Sequence, residues 1–167
     1  MNKFEIISQT QWERDIKDYS PKAGVIACES YQNLRVPTRA TKHSAGYDFF
    51  STISFKLKPG QSIKIPTGIK CHLDYDKALF LFPRSSLGFK YRMQLDNSVG
   101  IVDADYVNNV DNEGHIFIKI TNDSKTNQML EINRGDAFAQ GIIMRYEIAE
   151  EEPVSATRSG GIGSTGK

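Results

Sequence analysis

The stretch "IFIKIT", Ile116 to Thr121, alternates without a break. Ile116, Ile118 and Ile120 fall on one face, and Phe117, Lys119 and Thr121 on the other. Side chains of a strand point alternately to the two sides of a sheet, so this period of two predicts a half-buried strand. The same character recurs outward in both directions. Towards the N-terminus lie "YDFFSTISFKL" (47–57), "SIKIPTGIK" (62–70) and "ALFLF" (78–82), and beyond the anchor lies "AFAQGIIMRYEI" (137–148). Turn-forming clusters such as "KPGQ" (58–61) and "LDYDK" (73–77) separate them. Within the last run, Gly141 reads as a β-bulge. Many short strands with regular turns predict an all-β barrel or jelly roll.

Two segments break the β pattern. In "TQWERDIKDY" (10–19) Thr10 and Glu13 have capping-box spacing, and Trp12, Ile16 and Tyr19 recur at helical intervals. A short amphipathic helix is predicted there, ending before Pro21. "SSLGFKYRM" (85–93) suits a second helix with Ser85 near its N-cap. Residues 20–34 read as a linker or extended arm.

Bulk properties narrow the function classes. At 167 residues the chain has room for one domain with a real core. A net charge of +1 supplies no global field for recruiting nucleic acid or membrane. No stretch is long and apolar enough to span a bilayer, and "MNKFEIISQTQWERD" lacks the apolar run of a signal peptide, so a cytoplasmic protein is expected. Cys28 and Cys71 form no C-x-x-C pair, and His43, His72 and His115 have no metal-ligand spacing.

Four polar constellations stand out. Arg84, Ser85 and Ser86 bring a guanidinium fork and two hydroxyls to a strand–helix junction, which suits an anion site and equally a helix cap with an ion pair. "GIVDADY" (100–106) places Asp103 and Asp105 on the same face of an extended segment, two apart, after apolar Ile101 and Val102. Such acids can serve as a base, bind a hard cation or cap a loop. "FKYRM" (89–93) reads as an amphipathic face rather than a base-stacking surface. "GIGSTGK" (161–167) has the glycine and lysine spacing of a phosphate-binding P-loop. That loop must join a buried strand to a helix, however, and the upstream "EIAEEEPVSATRS" is acidic and polar, so the match is set aside.

In order, "PTRATKHSAGYDFFS" (37–51), "PRSSLG" (83–88), "NSVGIVDADY" (97–106), "RGDAFAQGII" (134–143) and "RSGGIGSTG" (158–166) resemble the five motifs of the trimeric dUTPases. The resemblance runs from about Leu34 to the C-terminus. It implies a distorted jelly roll assembled as a homotrimer, with each active site drawing on all three chains. It implies hydrolysis of dUTP to dUMP and pyrophosphate with Mg2+. By resemblance Asp103 deprotonates the attacking water, and Asp48 holds magnesium through water. Arg84, Ser85, Ser86 and Gln140 cradle phosphate. Asn97 and the backbone through Gly100 and Val102 read uracil, and Tyr106 packs against deoxyribose. The tail becomes an arm that closes over the nucleotide. In it Arg158, Ser164 and Thr165 face the phosphates, and Ile162 stands where the family usually has Phe. The organisation implied is an N-terminal appendage (1–30), the body (31–156) and the arm (157–167).

Departures from the family pattern accompany the match. The spacing from Arg158 to Ile162 is one residue short. "VNNVDNEGH" (107–115) is an insertion whose Asp111 and Glu113 could approach the metal, and they are expected to be solvated. Ala137 and Phe138 stand where the family often has Arg and a small aliphatic residue. The appendage is similar to additions in phage-encoded members, and it is expected to pack on the outside of the trimer without a catalytic part. Two other readings share the fold. A dCTP deaminase would need a glutamate on the strand after the "NSVGIVDADY" turn, and "IFIKITN" has no acid. A nucleotide-binding regulator could take a repressor-type protein partner. The implied partners are dUTP and two further copies of the chain, with neither membrane nor direct nucleic-acid binding.

Overall fold

The computed structural model describes residues 1–19, 25–150, 158, 160 and 161. In chain order the elements are β1 (Lys3–Ile6), α1 (Gln9–Ile16) with a 3₁₀ turn at Lys17–Tyr19, β2 (Val25–Cys28), a 3₁₀ turn at Tyr31–Asn33, β3 (Thr38–Arg39), β4 (Tyr47–Phe50), β5 (Ile53–Leu57), β6 (Ser62–Pro66), β7 (Ile69–His72), β8 (Lys77–Pro83), α2 (Ser85–Tyr91), β9 (Met93–Leu95), β10 (Gly100–Val102), a 3₁₀ turn at Ala104–Tyr106, β11 (Phe117–Asn122), β12 (Leu130–Ile132) and β13 (Ala137–Arg145). All pairings are antiparallel. The strands form four sheets, in the orders β1-β7, β10-β8-β13-β4-β3, β6-β11-β9 and β12-β5-β2. This is the expected distorted jelly roll, with sheets that wrap one core without closing into a single ladder.

The anchor strand behaves as its alternation requires. Ile116, Ile118 and Ile120 are buried, Lys119 is exposed, and the strand pairs with β6 on one side and β9 on the other. The core gathers Phe49, Phe55, Ile65, Leu79, Ile118 and Phe138 from all the larger sheets. Burying a side chain of this size contributes about 1.5–3 kcal/mol, so the core rather than the surface ion pairs carries the fold.

Five local expectations change. The run 47–57 divides at Ser51 and Thr52 into two strands, and these polar residues are buried with their hydroxyls bonded to Ile53 O and Pro66 O. Gly141 is not a bulge. It pairs in register with Leu81 and Tyr47, and the ladder slips between Ala137 and Ala139 instead. Glycine is needed at 141 because a Cβ would lie 2.8 Å from Leu79 Cδ1 and 2.9 Å from Phe49 Cε2. The first helix is capped by Ser8 rather than Thr10, and its Oγ accepts the Gln11 N–H at 3.1 Å. In the second helix Arg84, not Ser85, holds the N-cap position, and it makes no side-chain cap bond. The 20–34 segment also contains a strand, β2, paired with β5.

The N-terminal segment is bound to the body at several points. β1 pairs with β7, and Phe4 packs its ring against Tyr47 and Phe49. Ile7, Trp12 and Leu34 form a satellite core, and the Tyr31 hydroxyl donates to Ile7 O at 2.9 Å.

Candidate active site

A cavity of about 550 Å³ opens where β10 and β11 diverge into different sheets. The turn that carries Asn97 joins β9 to β10, but these two strands do not pair with each other. β9 pairs with β11 and β10 with β8. β10 is therefore an edge strand, and the backbone groups on its open side are not used by the ladder. Gly100 lets it lie close to β8, since a Cβ there would sit 3.0 Å from the Cβ of Leu81. Asn97, Gly100, Val102, Asp103, Tyr106 and Arg158 all line this cavity. Five of these lie within the single stretch 97–106, and Arg158 joins them from near the C-terminus.

Asp103 follows the end of β10 and precedes the 3₁₀ turn. That turn replaces the extended geometry expected for "DAD", so Asp103 and Asp105 are not simply two positions along one strand face. Arg158 joins them nonetheless. Its Nη2 donates to Asp103 Oδ2, its Nε donates to Asp105 Oδ1 at 2.9 Å, and its guanidinium lies 5.5 Å from the centre of the Tyr106 ring. Both carboxylates are about half exposed, whereas the Arg158 side chain is 10% exposed. The guanidinium is therefore seated in the pocket rather than spread over its surface.

Tyr106 is buried and its hydroxyl is fully engaged. It donates to His115 O at 2.9 Å and accepts from Asn112 Nδ2 at 2.9 Å. Burial pushes its pKa up, and the Asn112 hydrogen bond and the Arg158 charge only partly oppose this. The group that Tyr106 presents to the cavity is its ring.

The insertion after Tyr106 is exposed at Asn108, Val110 and Asp111, and it is ordered by its own hydrogen bonds. Asn109 Oδ1 accepts the backbone N–H groups of Asp111 and Asn112, and Asn109 Nδ2 donates to Tyr106 O at 2.8 Å. Asp111 Oδ2 accepts the Gly161 N–H at 2.8 Å. Glu113 accepts from both the N–H and the hydroxyl of Ser8, and although burial alone would raise its pKa, these bonds hold it below the ordinary value. Asp111 is exposed, as expected, and Glu113 partly so, and each also accepts a protein donor. Sequence periodicity does not find Asn112 or His115. The one signal pointing to them is the helical spacing of Trp12 and Ile16, which requires an apolar surface to receive α1.

The remaining predicted residues form a second cluster. Asp48 on β4 is the register partner of Gln140 on β13. Arg84 is fixed by its own N–H, which donates to Phe138 O at 3.2 Å, and its Nε lies 3.4 Å from Asp48 Oδ1. Gln140 Nε2 donates to Pro83 O at 3.3 Å, and its Oε1 fills the space a Cβ on Gly46 would need. Ser85 and Ser86 are exposed on the first turn of α2. This cluster does not meet the cavity within one chain. Val102 pairs with Leu79 near one end of β8, while Arg84 follows the other end, roughly 16 Å along the strand. Ile162, Ser164 and Thr165 lie outside the described residues.

Among the described residues no three His, Cys, Asp or Glu side chains converge on a metal position. A single carboxylate at Asp48 still fits magnesium, which keeps several waters and takes further oxygens from phosphates rather than from an all-protein cage. No helix among the described residues is long and apolar enough to cross a membrane. β11 carries no acid, so the deaminase reading has no catalytic glutamate there.

Comparison with known proteins agrees with this geometry. The dUTPase family model matches residues 32–166. The deoxyuridine 5'-triphosphate nucleotidohydrolase of Lactococcus lactis is 39% identical over 140 residues, which span 81% of this chain and 92% of that protein. The crystal structure of the Streptococcus mutans dUTPase superposes with a TM-score of 0.67 at 33% identity, over 88% of this chain and 98% of that one. A dUTPase from the Staphylococcus aureus phage phi11, described with a structural Mg(II) ion, shares the fold with a TM-score of 0.65 at 21% identity, over 95% and 99% of the two chains. The chain belongs to the dUTPase family.

Proposed function

We propose that this dUTPase, an enzyme that hydrolyses dUTP to dUMP and pyrophosphate, works from two half-sites brought together between chains of a homotrimer. The observation that carries this reading is the separation within one chain. The cavity holding Asp103 and Tyr106 lacks the cluster of Asp48, Arg84 and Gln140, yet one triphosphate needs both.

In the cavity, uracil meets Asn97 and the open edge of β10 at Gly100 and Val102. Backbone donors and acceptors in fixed positions accept uracil and leave cytosine with buried groups unpaired, which is strongly selective. Tyr106 turns its ring to the deoxyribose. Its hydroxyl is already committed, so a 2′-hydroxyl would face an apolar surface without a partner. Asp103 orients the attacking water and takes its proton as it adds in line to the α-phosphorus, with pyrophosphate leaving. Arg84, Ser85, Ser86 and Gln140 hold the phosphates, Arg84 with a guanidinium fork suited to phosphate oxygens. Asp48 is the residue that would hold Mg2+, and the ion would supply neutralisation of the charge that builds on the phosphate oxygens. Arg158, Ser164, Thr165 and Ile162 belong to the arm that covers the nucleotide, Arg158 adding positive charge.

Coexpression of two defective chains, Asp103→Asn and Arg84→Ala, tests the shared site. Each alone should be nearly inactive. Random mixing in a trimer should restore roughly a quarter of the sites, because each would draw the two residues from different chains. Mixed protein no more active than the average of its parents would overturn the reading.

A further inference from the structure

We infer that Asp15 and His115 are a positioning pair for Tyr106, so that helix α1, outside the matched family region, takes part in sugar selection. The inference rests on the reading of Tyr106 given above.

His115 is 0% exposed and its two ring nitrogens have fixed roles. The Gly68 N–H donates to Nε2 at 2.8 Å, so that nitrogen carries the lone pair. The proton therefore lies on Nδ1, which donates to Asp15 Oδ2 at 2.6 Å. Gln11 Nε2 donates to the same oxygen at 2.8 Å and holds the carboxylate in place on α1. The ring is also clamped laterally, with its centre 4.2 Å from the Phe117 ring and 6.2 Å from that of Trp12. Gly68 takes a φ of +74° to present its N–H, and Leu34 fills the space where its Cβ would stand.

A histidine fixed at both nitrogens also fixes its own backbone. The His115 carbonyl accepts the Tyr106 hydroxyl at 2.9 Å. The chain of contact thus runs from Asp15 through the imidazole and the His115 carbonyl to the ring that lines the cavity. None of these atoms needs to touch substrate. Removing the Asp15 carboxylate leaves the buried Nδ1–H without its acceptor, and the carbonyl that tethers Tyr106 then loses its fixed position.

The test measures kcat and KM for dUTP and UTP with full-length protein and magnesium. Asp15→Ala should raise KM for dUTP roughly tenfold and narrow the preference for dUTP over UTP by a similar factor, with kcat within about twofold. Asp15→Asn, which keeps an oxygen for Nδ1–H, should recover most of both. Tyr106→Phe cuts the tether from the other end and leaves the buried pair intact, so it should give the same shifts even where Asp15→Ala does not fold. In the double variant the effects should not add. Unchanged KM and sugar preference in Tyr106→Phe, or in a folded Asp15→Ala, would overturn the pair's role, as would additive effects. Tyr106→Ala separates the two levels. If it abolishes sugar preference while the tether variants do nothing, only the positioning pair fails. If it too has no effect, the reading of Tyr106 itself fails.

Discussion

Two arginine–carboxylate pairs occupy opposite ends of β8, and they are held in different ways. Arg84 and Asp48 belong to the ladder. Asp48 lies within β4 opposite Gln140, and the Arg84 backbone is bonded to Phe138. Arg158 and Asp103 lie off the ladder. Asp103 stands beyond the end of β10, and Arg158 comes from the C-terminal arm to bridge two carboxylates. The sheet fixes the first pair whether or not ligand is present. The second is made by a residue outside every sheet and rests on side-chain contacts alone. The Arg84 end is therefore held by the backbone ladder, and the Asp103 end by charge-assisted hydrogen bonds between side chains.

The largest expected effect breaks the comparison on the Asp103 side. Asp103→Asn keeps the shape and one hydrogen-bonding oxygen but cannot accept the water's proton. Turnover should fall by a factor of roughly 10²–10⁴, the usual contribution of a general base, while binding of a non-hydrolysable dUTP analogue persists. Retained turnover, measured as pyrophosphate release, would assign the base elsewhere. A smaller loss is expected at the arm. Arg158→Ala removes the guanidinium that bridges Asp103 and Asp105 and, on the proposed reading, a charged contact to phosphate, but it keeps the Asp103 carboxylate and the uracil edge of β10. A fall of roughly tenfold to a hundredfold in kcat/KM is expected, about the worth of one charge-assisted hydrogen bond. An equal loss in both variants would mean that the arm and the base act as one unit, and the contrast between the two pairs would then dissolve.

These residues were readable from the sequence to different degrees. Strand β11 declared itself because Ile116, Ile118 and Ile120 alternate over a full strand length. β1, β9, β10 and β12 span only three or four residues, too few for a period of two to stand out. Asp103, Tyr106 and Arg158 could be named from motif order, and their convergence in one cavity follows. The separation of Asp48, Arg84 and Gln140 from that cavity could not be named, because it depends on ladder register, which no local pattern encodes. Gly141 was misread for a related reason. A glycine inside a strand marks either a bulge or a close approach, and only the neighbouring Leu79 and Phe49 decide which. The burial of His115 was also illegible. The wall that covers it comes from α1, a hundred residues away in sequence.

The smallest expected effect concerns stability rather than turnover, and it extends the contrast to a pair held by burial. Burial pulls the pKa of His115 below the ordinary 6.5, although Asp15 opposes the shift, and Lys64 and Glu113 act more weakly in opposite senses. Burial alone would raise the pKa of Asp15, but hydrogen bonds from His115 and Gln11 outweigh it and the net shift is downward. Both signs point the same way. The unfolded chain takes up a proton at His115 below about pH 6.5, where the folded chain still refuses one, so stability falls as pH drops through that range. Asp15 adds a further loss as pH falls below the ordinary aspartate value towards its own folded value. Thermal melting followed from pH 8 to pH 5 should therefore show Tm declining on the acid side. The decline should be shallower in His115→Gln, which has no proton to gain. Equal slopes in the two proteins would mean that other groups carry the acid sensitivity.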